Sequence, residues 1–281
     1  MNDINKLSLR IKLDGTINTR DLGGFETTDH RHIRYKRIIR TDNLSRLTPE
    51  DISYFENELQ ARFDIDLRSN SEICGKNDKK IPFCQYVHCP ITDDLNSGKS
   101  QHPHEEFIID HPNIKSLIGF IYTISSDGDI TTSMENSYRS FLGLPFGIKH
   151  YRLFLDIVRK NKEGSVLYHC ADGKDRAGIA TVLFLSVLGV DRETIIKDYL
   201  KTNAYTQEKA DSRVKYLRED CHITNEKVIN SVYMLAGVRE NWIRAAFDEI
   251  DNRFNGMDSY LHNQMELTDE DIEEIKDNYL E

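Results

Sequence analysis

Two kinds of apolar pattern alternate along most of the chain. Phe63, Ile65 and Leu67 alternate with polar neighbours, which predicts a strand with one buried face. The predicted strands cover residues 61–68, 85–91 and 164–168. Helices, marked by apolar stripes, by a proline in the first turn or by a closing glycine, are predicted over residues 49–59, 148–160 and 177–188. This alternation indicates an α/β fold of three layers, with a central, mostly parallel sheet and helices on both faces.

The rest of the chain divides into a segment without a regular pattern and a helical C-terminal part. Residues 92–132 are rich in Gly, Ser, His, Asp and Pro around one apolar island, which is typical of a lid or a binding loop. Residues 225–261 have a helical pattern, and Thr268 begins a helix cap before a terminal helix. We therefore expect one main domain over residues 1–220 and a helical C-terminal extension over residues 221–281.

The residues with the strongest chemistry are concentrated in one loop between a predicted strand and a predicted helix. This loop reads His169-Cys170-Ala171-Asp172-Gly173-Lys174-Asp175-Arg176-Ala177-Gly178. The backbone N–H groups of such a loop converge at the start of the following helix, which favours a bound phosphate dianion. Arg176 can hold two phosphate oxygens with its planar guanidinium, and the positive helix end favours the thiolate form of Cys170. A thiolate beneath a bound phosphorus atom is a nucleophile for phosphoryl transfer.

We expect the loop to bind the phosphate through several of its residues. These are Ala171, Asp172, Gly173, Lys174, Arg176 and Ala177. The alternative is that Cys170 is a buried core thiol, which is the usual fate of a free cysteine. A core thiol would leave Lys174, Asp175 and Arg176 without a reason to share one tight loop, so the functional interpretation is favoured.

The loop resembles the signature of the cysteine-dependent protein tyrosine phosphatase superfamily. Other blocks narrow the resemblance to bacterial and fungal tyrosine phosphatases whose loop reads H-C-x-x-G-K-D-R. The similar blocks follow the family's order at residues 18–24, 40–48, 66–72 and 198–203, so the resemblance covers most of the chain. It implies the phosphatase fold and a phosphocysteine intermediate. We expect no cofactor and no metal, because Arg176 and the loop dipoles can supply the charge stabilisation that a metal ion gives in other enzymes. The resemblance also implies substrates among phosphotyrosine, phosphoserine, phosphothreonine and phosphoinositides.

The resemblance further implies roles for individual residues. Cys170 would be the nucleophile, Arg176 would hold the transferring group, and Asp175 would protonate the leaving oxygen as general acid. Competing candidates for the acid are Asp93, Asp94, Asp127 and Asp129. Supporting positions are expected at His169, Arg20, Asp21, Arg68 and Asp93. A local basic rim would attract phosphorylated ligands if the fold joined Arg20, Arg40, Arg68, Lys174 and Arg176, and solvated surface charge is the alternative.

Two loop positions depart from the commonest family pattern. Ala177 stands where a Ser or Thr hydroxyl would bind the thiolate, so we expect slower hydrolysis of the phosphocysteine. Asp172 adds a carboxylate to an anion-binding loop and makes the loop partly similar to that of myotubularin phosphoinositide phosphatases. We expect Asp172 to pair with a basic neighbour or to face away from the phosphate.

Composition narrows the partners and the compartment. The 281 residues include 37 Lys and Arg against 47 Asp and Glu, and the net charge of −10 disfavours nonspecific binding to nucleic acid. Five cysteines without metal-like spacing suit a reducing cytoplasm, and no apolar segment has the length of a signal peptide or a membrane span. The spacing of His102, His104 and His111 indicates solvated loop residues rather than metal ligands. We expect a cytoplasmic protein whose partner is a phosphorylated protein or a phosphoinositide.

Two other classes of function stay open. A noncatalytic module could bind a phosphorylated partner with the same loop, and Ala177 and Asp172 keep this alternative open. Another thiolate enzyme, such as an arsenate reductase or a sulfurtransferase, would share the loop chemistry. The block at residues 18–24 and the position of the loop beyond mid-chain argue against that enzyme class.

Overall fold

A six-stranded sheet lies at the centre of the protein, whose computed structural model describes residues 8–94 and 130–281. The strands are β1 (Leu9–Arg10), β2 (Arg20–Asp21), β3 (Ile38–Thr41), β4 (Ala61–Asp66), β5 (Gln85–His88) and β6 (Ser165–His169). Their spatial order is β1-β2-β3-β6-β4-β5. Neighbours from β3 to β5 pair in parallel, whereas β1 and β2 add an antiparallel edge. The predicted α/β fold with a mostly parallel sheet is confirmed.

Helices surround this sheet in the described part of the chain. They are α1 (Pro49–Ser53), α2 (Asn70–Ile73), α3 (Ile130–Gly143), α4 (Pro145–Lys160), α5 (Arg176–Val187), α6 (Arg192–Glu219), α7 (Glu226–Ala236), α8 (Glu240–Phe254), α9 (Met257–Asn263) and α10 (Asp269–Tyr279). Among the described residues, we find no helix with the length and the apolar composition needed to cross a bilayer.

Both faces of the sheet are buried, as the alternation of side chains along the central strands requires. Ile38 and Val166 point to the larger hydrophobic core, which contains most of the buried residues of α4 and α5. Their neighbours Ile39 and Leu167 point to a second core on the opposite face, where Phe55 packs against them. Helix α5 is apolar on all sides and almost entirely buried, so it holds the end of the loop before it in a fixed position.

Several predicted elements are present with different boundaries. The helix predicted over residues 49–59 is an α-helix in its first half and a π-helical turn, Tyr54–Glu58, in its second. The helical stretch predicted over residues 225–261 is split into three helices at Gly237 and at Gly256. Gly256 has a φ of +95°, a backbone conformation that glycine adopts without steric cost and that changes the chain direction between two helices.

Most of the predicted lid lies outside the described residues. This part comprises residues 95–129, with His102, His104, His111, Asp127 and Asp129. Helix α3 begins at Ile130, so the last three residues of the segment predicted as a lid are helical instead. The lid itself stays a prediction.

The C-terminal helices pack closely behind α3. The hydroxyl of Tyr260 in α9 donates a hydrogen bond to the carbonyl oxygen of Leu142 at 2.9 Å. Trp242 in α8 is fully buried, and its ring centroid lies 6.3 Å from that of Tyr138. These contacts hold Tyr138 in place, and its hydroxyl reaches the loop described next.

Candidate active site

The chemistry-bearing loop follows β6 and precedes α5, at the carboxyl edge of the parallel strands. Cys170 comes directly after β6 and is 1% exposed, and Arg176 is the first residue of α5. Gly173 has a φ of +63°, and a Cβ atom at this position would lie 2.3 Å from the carbonyl oxygen of Thr41. Only glycine therefore allows the loop to approach β3 this closely.

Four consecutive carbonyl groups of the loop, in residues 171–174, accept hydrogen bonds from outside it. Asn43 donates to the first from its backbone N–H at 3.2 Å and from Nδ2 at 3.0 Å. Asn18 Nδ2 donates to the second and third at 2.9 and 3.1 Å. Arg40 donates from Nε to the third at 2.8 Å and from Nη2 to the fourth at 3.0 Å. Because the C=O and N–H of a trans peptide point in opposite directions, the N–H groups that follow are turned to the inside of the loop, where they can bind an anion.

We expected Arg20, Arg40 and Arg68 to form part of a basic rim, and this prediction is wrong because all three side chains are buried. The alternative, that they are solvated surface charges, is wrong for the same reason. Arg20 Nη1 donates to Oδ1 of Asn18 at 2.6 Å. This contact orients the Asn18 amide so that its Nδ2 faces the loop. Burial lowers the pKa of Arg20 to about 10, so this guanidinium stays charged at neutral pH and is balanced by Asp198.

Arg176 is held in place by a carboxylate. Its Nη1 and Nη2 donate to the two oxygens of Glu72 at 2.6 and 2.7 Å, and Nη1 also donates to the carbonyl of Leu67 at 3.3 Å. Glu72 lies in α2, where it accepts the backbone N–H of Ser69 at 2.7 Å as part of a capping box. Both side chains of the pair are nearly buried, so the bidentate contact fixes the guanidinium beside the loop.

Both carboxylate oxygens of Asp175 have hydrogen-bond donors. The Tyr138 hydroxyl donates to Oδ1 and Lys174 Nζ donates to Oδ2, each at 2.6 Å. The Tyr138 and Tyr199 hydroxyls lie 2.6 Å apart, and since Tyr138 gives its proton to Asp175, Tyr199 must donate to Tyr138. Burial and then the charge of Asp175 raise the pKa of Tyr138 well above its usual range, so this hydroxyl keeps its proton.

Asp172 pairs with a basic neighbour, as we predicted. Its Oδ1 accepts a hydrogen bond from Lys209 Nζ of α6 at 2.5 Å, and both side chains are largely buried. Burial acts to raise the pKa of Asp172, but the charges of Lys209, Arg213 and Lys174 outweigh it and hold this pKa well below its usual range. The carboxylate is therefore ionised and compensated at neutral pH, and it ties the loop to α6.

Comparison with known proteins identifies the family. The family model described as the tyrosine phosphatase family matches residues 11–281. The chain belongs to the tyrosine phosphatase family. It is 24% identical over 271 residues to a candidate tyrosine-protein phosphatase of Cupriavidus necator, covering 96% of this chain and 88% of that protein. It is 28% identical over 263 residues to the triple specificity protein phosphatase PtpB of Mycobacterium tuberculosis, covering 89% of this chain and 92% of the relative. The predicted family and enzyme class, a hydrolase of phosphomonoesters, are confirmed.

In this tyrosine phosphatase, His169 lies in a buried cluster of charges behind the loop. Its Nε2 lies 3.2 Å from Oδ1 of Asp64 and 3.3 Å from Oδ2 of Asp78, and its Nδ1 lies 3.1 Å from the carbonyl oxygen of Cys170. Burial acts to lower the pKa of His169, but the charges of Asp78 and Asp66 outweigh it and hold this pKa well above its usual range. The ring is thus an imidazolium directly behind the nucleophile position.

Arg68 completes this cluster. It donates to Asp66 from Nε at 2.9 Å and from Nη2 at 2.7 Å, and Nη2 also lies 2.7 Å from Oδ2 of Asp78. The donor atoms of Asp64, Asp78 and His169 lie within 4.8 Å of one another, a spacing that could hold a metal ion. Arg68 already brings a positive charge to Asp66 and Asp78 in this cluster, so we assign the cluster to charge balance instead.

Asp21 binds backbone groups between β2 and β3. It accepts the backbone N–H groups of Gly23 and Lys36, each at 2.8 Å. These contacts close the chain reversal between β2 and β3, so Asp21 shapes the block in which Asn18 and Arg20 lie.

Two of the competing acids lie near α2 in the phosphatase. Asp94 accepts the backbone N–H of Ser71 at 3.1 Å and its hydroxyl at 2.8 Å, in the same helix as Glu72. Asp93 is the residue before it, at the end of the first described range. Both therefore stay candidates beside Asp175, whereas Asp127 and Asp129 lie outside the described residues.

Several positions that contact the loop were not predicted from the sequence. The Ser69-x-x-Glu72 spacing is a capping-box pattern, and it could have located the turn that carries Glu72. Asn18 and Asn43 lie in blocks that carry the family resemblance, but nothing in their spacing indicated contact with the loop. No local signal marked Tyr138 or Lys209, because each lies on a helix 37 positions away from the loop residue that it contacts.

Proposed function

We propose that this phosphatase hydrolyses phosphomonoesters through a phosphocysteine intermediate on Cys170, with phosphotyrosine in proteins as its main substrate. The observation that carries the proposal is the clamping of the carbonyls of residues 171–174 by Asn18, Arg40 and Asn43. This clamping aims a set of backbone N–H groups at one point, beside a cysteine and an arginine. Preorganised donors of this kind stabilise the charge that develops in a transition state.

In the first step, the Cys170 thiolate attacks phosphorus in line and displaces the leaving oxygen. The backbone N–H groups of residues 171–177 and the guanidinium of Arg176 hold the equatorial oxygens, while Glu72 positions this guanidinium through Nη1 and Nη2. Asp172 takes part through its backbone, since its side chain is bound by Lys209. The Asp175 carboxyl group gives its proton to the leaving oxygen.

In the second step, water attacks phosphorus and Asp175 takes up its proton as a base, while the S–P bond breaks and releases inorganic phosphate and the Cys170 thiolate. Tyr138 and Lys174 both donate hydrogen bonds to Asp175, and these bonds stabilise the carboxylate form that acts as the base in this step. We therefore propose Tyr138 as a positioning residue for the acid, with Tyr199 fixing the Tyr138 hydroxyl. Ala177 offers no hydroxyl to the departing thiolate, so breakdown of the intermediate is the slow step.

The proposal extends to the organisation of the chain. Residues 1–220 would form the catalytic domain and residues 221–281 a helical extension that supports Tyr138 through Trp242. A cytoplasmic location is part of the same proposal. The relative from Mycobacterium tuberculosis is named a triple specificity phosphatase. We therefore propose phosphoserine, phosphothreonine and phosphoinositides as further substrates to test.

The decisive experiment is hydrolysis of p-nitrophenyl phosphate without added metal, with and without vanadate. We expect turnover that vanadate inhibits, and we expect Cys170→Ser to abolish turnover while the fold and phosphate binding persist. Cys89→Ser is the matched control, since this buried thiol donates to the carbonyl of His150, as a serine hydroxyl also can. Metal-independent turnover that survives in Cys170→Ser would contradict the mechanism. Binding of phosphotyrosine peptides without turnover by the wild type would instead support a noncatalytic recognition module.

A further inference from the structure

The first described residues of the chain lie along one face of α6. The residues of α6 that contact them are Asp198, Lys201 and Tyr205, whose spacing places them on the same side of the helix. The Ser8 hydroxyl donates to Oδ1 of Asp198, and Lys201 Nζ donates to the carbonyl oxygen of Ser8 at 2.7 Å. The Cζ atom of Arg10 lies 5.0 Å from the centroid of the Tyr205 ring. These three contacts hold the beginning of β1 on α6.

Asp198 also faces the two arginines that hold the loop. Its Oδ2 lies 3.5 Å from Nη2 of Arg20 and 3.9 Å from Nη1 of Arg40, and all three side chains are fully buried. No other carboxylate of the described residues lies within 4.0 Å of either guanidinium. Because buried charges need a partner and the two guanidinium groups repel each other, the position of this carboxylate determines where both arginines lie.

The two arginines connect Asp198 to the loop. Arg20 Nη1 donates to Oδ1 of Asn18 at 2.6 Å, and the Nδ2 of the same amide donates to two loop carbonyl groups. Arg40 also donates to two loop carbonyl groups, at 2.8 and 3.0 Å. Together these donors reach the carbonyl groups of residues 172–174. A displacement of the Asp198 carboxylate would therefore move the donors of three of the four clamped carbonyl groups.

Ser8 holds this carboxylate from the side opposite the arginines. Among the described residues, the Ser8 hydroxyl is the donor that Oδ1 of Asp198 accepts, and Ser8 is fully buried. The distances from Oδ2 to the guanidinium groups are longer than the roughly 2.7–2.9 Å of a charge-assisted hydrogen bond. Without the hydroxyl, Oδ1 would be a buried charged oxygen without a donor, and the carboxylate would move toward the arginines. The arginines would then move away from the loop.

We propose that Ser8 is a positioning residue for the phosphatase reaction, because through Asp198 it keeps Arg20 and Arg40 in the places from which they hold the loop. Ser8 lies before residue 11, where the match to the family begins, so that match gives it no role. The inference rests on the proposed function, in which the N–H groups of the loop bind the phosphate. It adds the N-terminal segment of the chain to the parts that set the geometry of this loop.

The test compares Ser8→Ala with Ser8→Thr, which keeps a hydroxyl. The Kd of inorganic phosphate and kcat/KM for p-nitrophenyl phosphate are measured well below the melting temperature, where a loss of stability alone changes neither. We expect Ser8→Ala to weaken both by about tenfold, as for the loss of a hydrogen bond to a charged group, and Ser8→Thr to restore most of each. Thr27→Val is the matched control, because the buried Thr27 hydroxyl also donates to an aspartate, Asp29, and its other partner Arg31 lies in the same turn. This control should lower the melting temperature and leave kcat/KM unchanged.

The route through Asp198 is tested by combining Ser8→Ala with Asp198→Asn. If Ser8 acts through this carboxylate, Ser8→Ala should change kcat/KM by less than about twofold in the Asp198→Asn background. The same tenfold loss in both backgrounds would overturn the route. If Asp198→Asn does not fold, Ser8→Cys replaces it, since a thiol is a weaker donor and its kcat/KM must lie between those of Ser8→Ala and the wild type.

Two other results would overturn the positioning role of Ser8. One is wild-type kcat/KM and wild-type phosphate affinity in Ser8→Ala, whatever its melting temperature. The other is an equal loss in Ser8→Ala and Ser8→Thr, because the hydroxyl would then not be the group that matters. If the wild type hydrolyses no phosphomonoester, the proposed function fails, and the phosphate Kd of the same variants still decides whether Ser8 positions the loop.

Discussion

Arg40 offers the sharpest test of how the loop is held, because a conservative substitution removes its geometry and keeps its charge. The guanidinium donates to Gly173 at 2.8 Å, to Lys174 at 3.0 Å and to the hydroxyl of Thr181 at 3.2 Å. In Arg40→Lys, one ammonium group replaces three donors that point in fixed directions, and it can reach about one of the three acceptors.

The expected loss follows from these contacts. A hydrogen bond from a charged donor contributes about 1.5–3 kcal/mol, so the loss of two costs about 3–6 kcal/mol of the free energy of unfolding. Domains have about 5–15 kcal/mol in total, which makes the variant marginally stable. Carbonyl groups that lose these hydrogen bonds can rotate, and the N–H groups inside the loop then rotate with them. We therefore expect kcat/KM to fall by about 100-fold, as for a displacement near 1 Å.

Urea unfolding, the inhibition constant of vanadate and kcat/KM for p-nitrophenyl phosphate measure these effects. Arg37→Lys is the matched control, because Arg37 also donates to two carbonyls, of Lys162 at 2.9 Å and of Asn161 at 3.0 Å, away from the loop. Arg37 is partly exposed, so the control should lose only about 1 kcal/mol and keep its vanadate affinity. If Arg40→Lys binds vanadate and hydrolyses substrate as Arg37→Lys does, the outward clamping of the carbonyls does not organise the loop.

Three further predictions test the acid, the missing hydroxyl and the loop carboxylate. Asp175→Asn should lower kcat/KM for alkyl phosphates by about 100-fold or more, lower it less for aryl phosphates, and flatten the basic limb of the pH profile, since poor leaving groups need the proton more. Tyr138→Phe should act more weakly in the same direction, and an unchanged profile in both would assign the acid to another carboxylate. Ala177→Thr should raise kcat and reduce the pre-steady-state burst, because a hydroxyl would ease departure of the thiolate; a burst of unchanged size would refute this. Asp172→Asn should cost about 3 kcal/mol of unfolding free energy at neutral pH. The pKa of Asp172 in the folded protein lies below its ordinary value of 3.8, so this loss of unfolding free energy should become smaller as the pH falls below 3.8 toward the folded pKa. Urea unfolding over this pH range measures the effect. A loss that does not change with pH would show that the pair with Lys209 contributes nothing.

The sequence by itself determined the nature of the loop. Cys170, Gly173 and Arg176 lie within seven consecutive positions between an apolar strand and an apolar helix, so local patterns alone specify a strand-loop-helix unit that can hold an anion. The pairing of Asp172 with a cation was also predictable, because a carboxylate buried beside an anion site needs compensation. The order of strands and helices likewise specified the fold class.

Only the tertiary structure decided how that loop is held. The bond between Arg176 and Glu72 joins residues 104 positions apart, and the bond between Tyr138 and Asp175 joins residues 37 positions apart. Side-chain type and periodicity show that a residue is charged or buried, but not which distant partner it meets. For this reason Arg20, Arg40 and Arg68 read as an exposed basic rim in the sequence, whereas folding buries each of them against carbonyls, amides and carboxylates that compensate its charge.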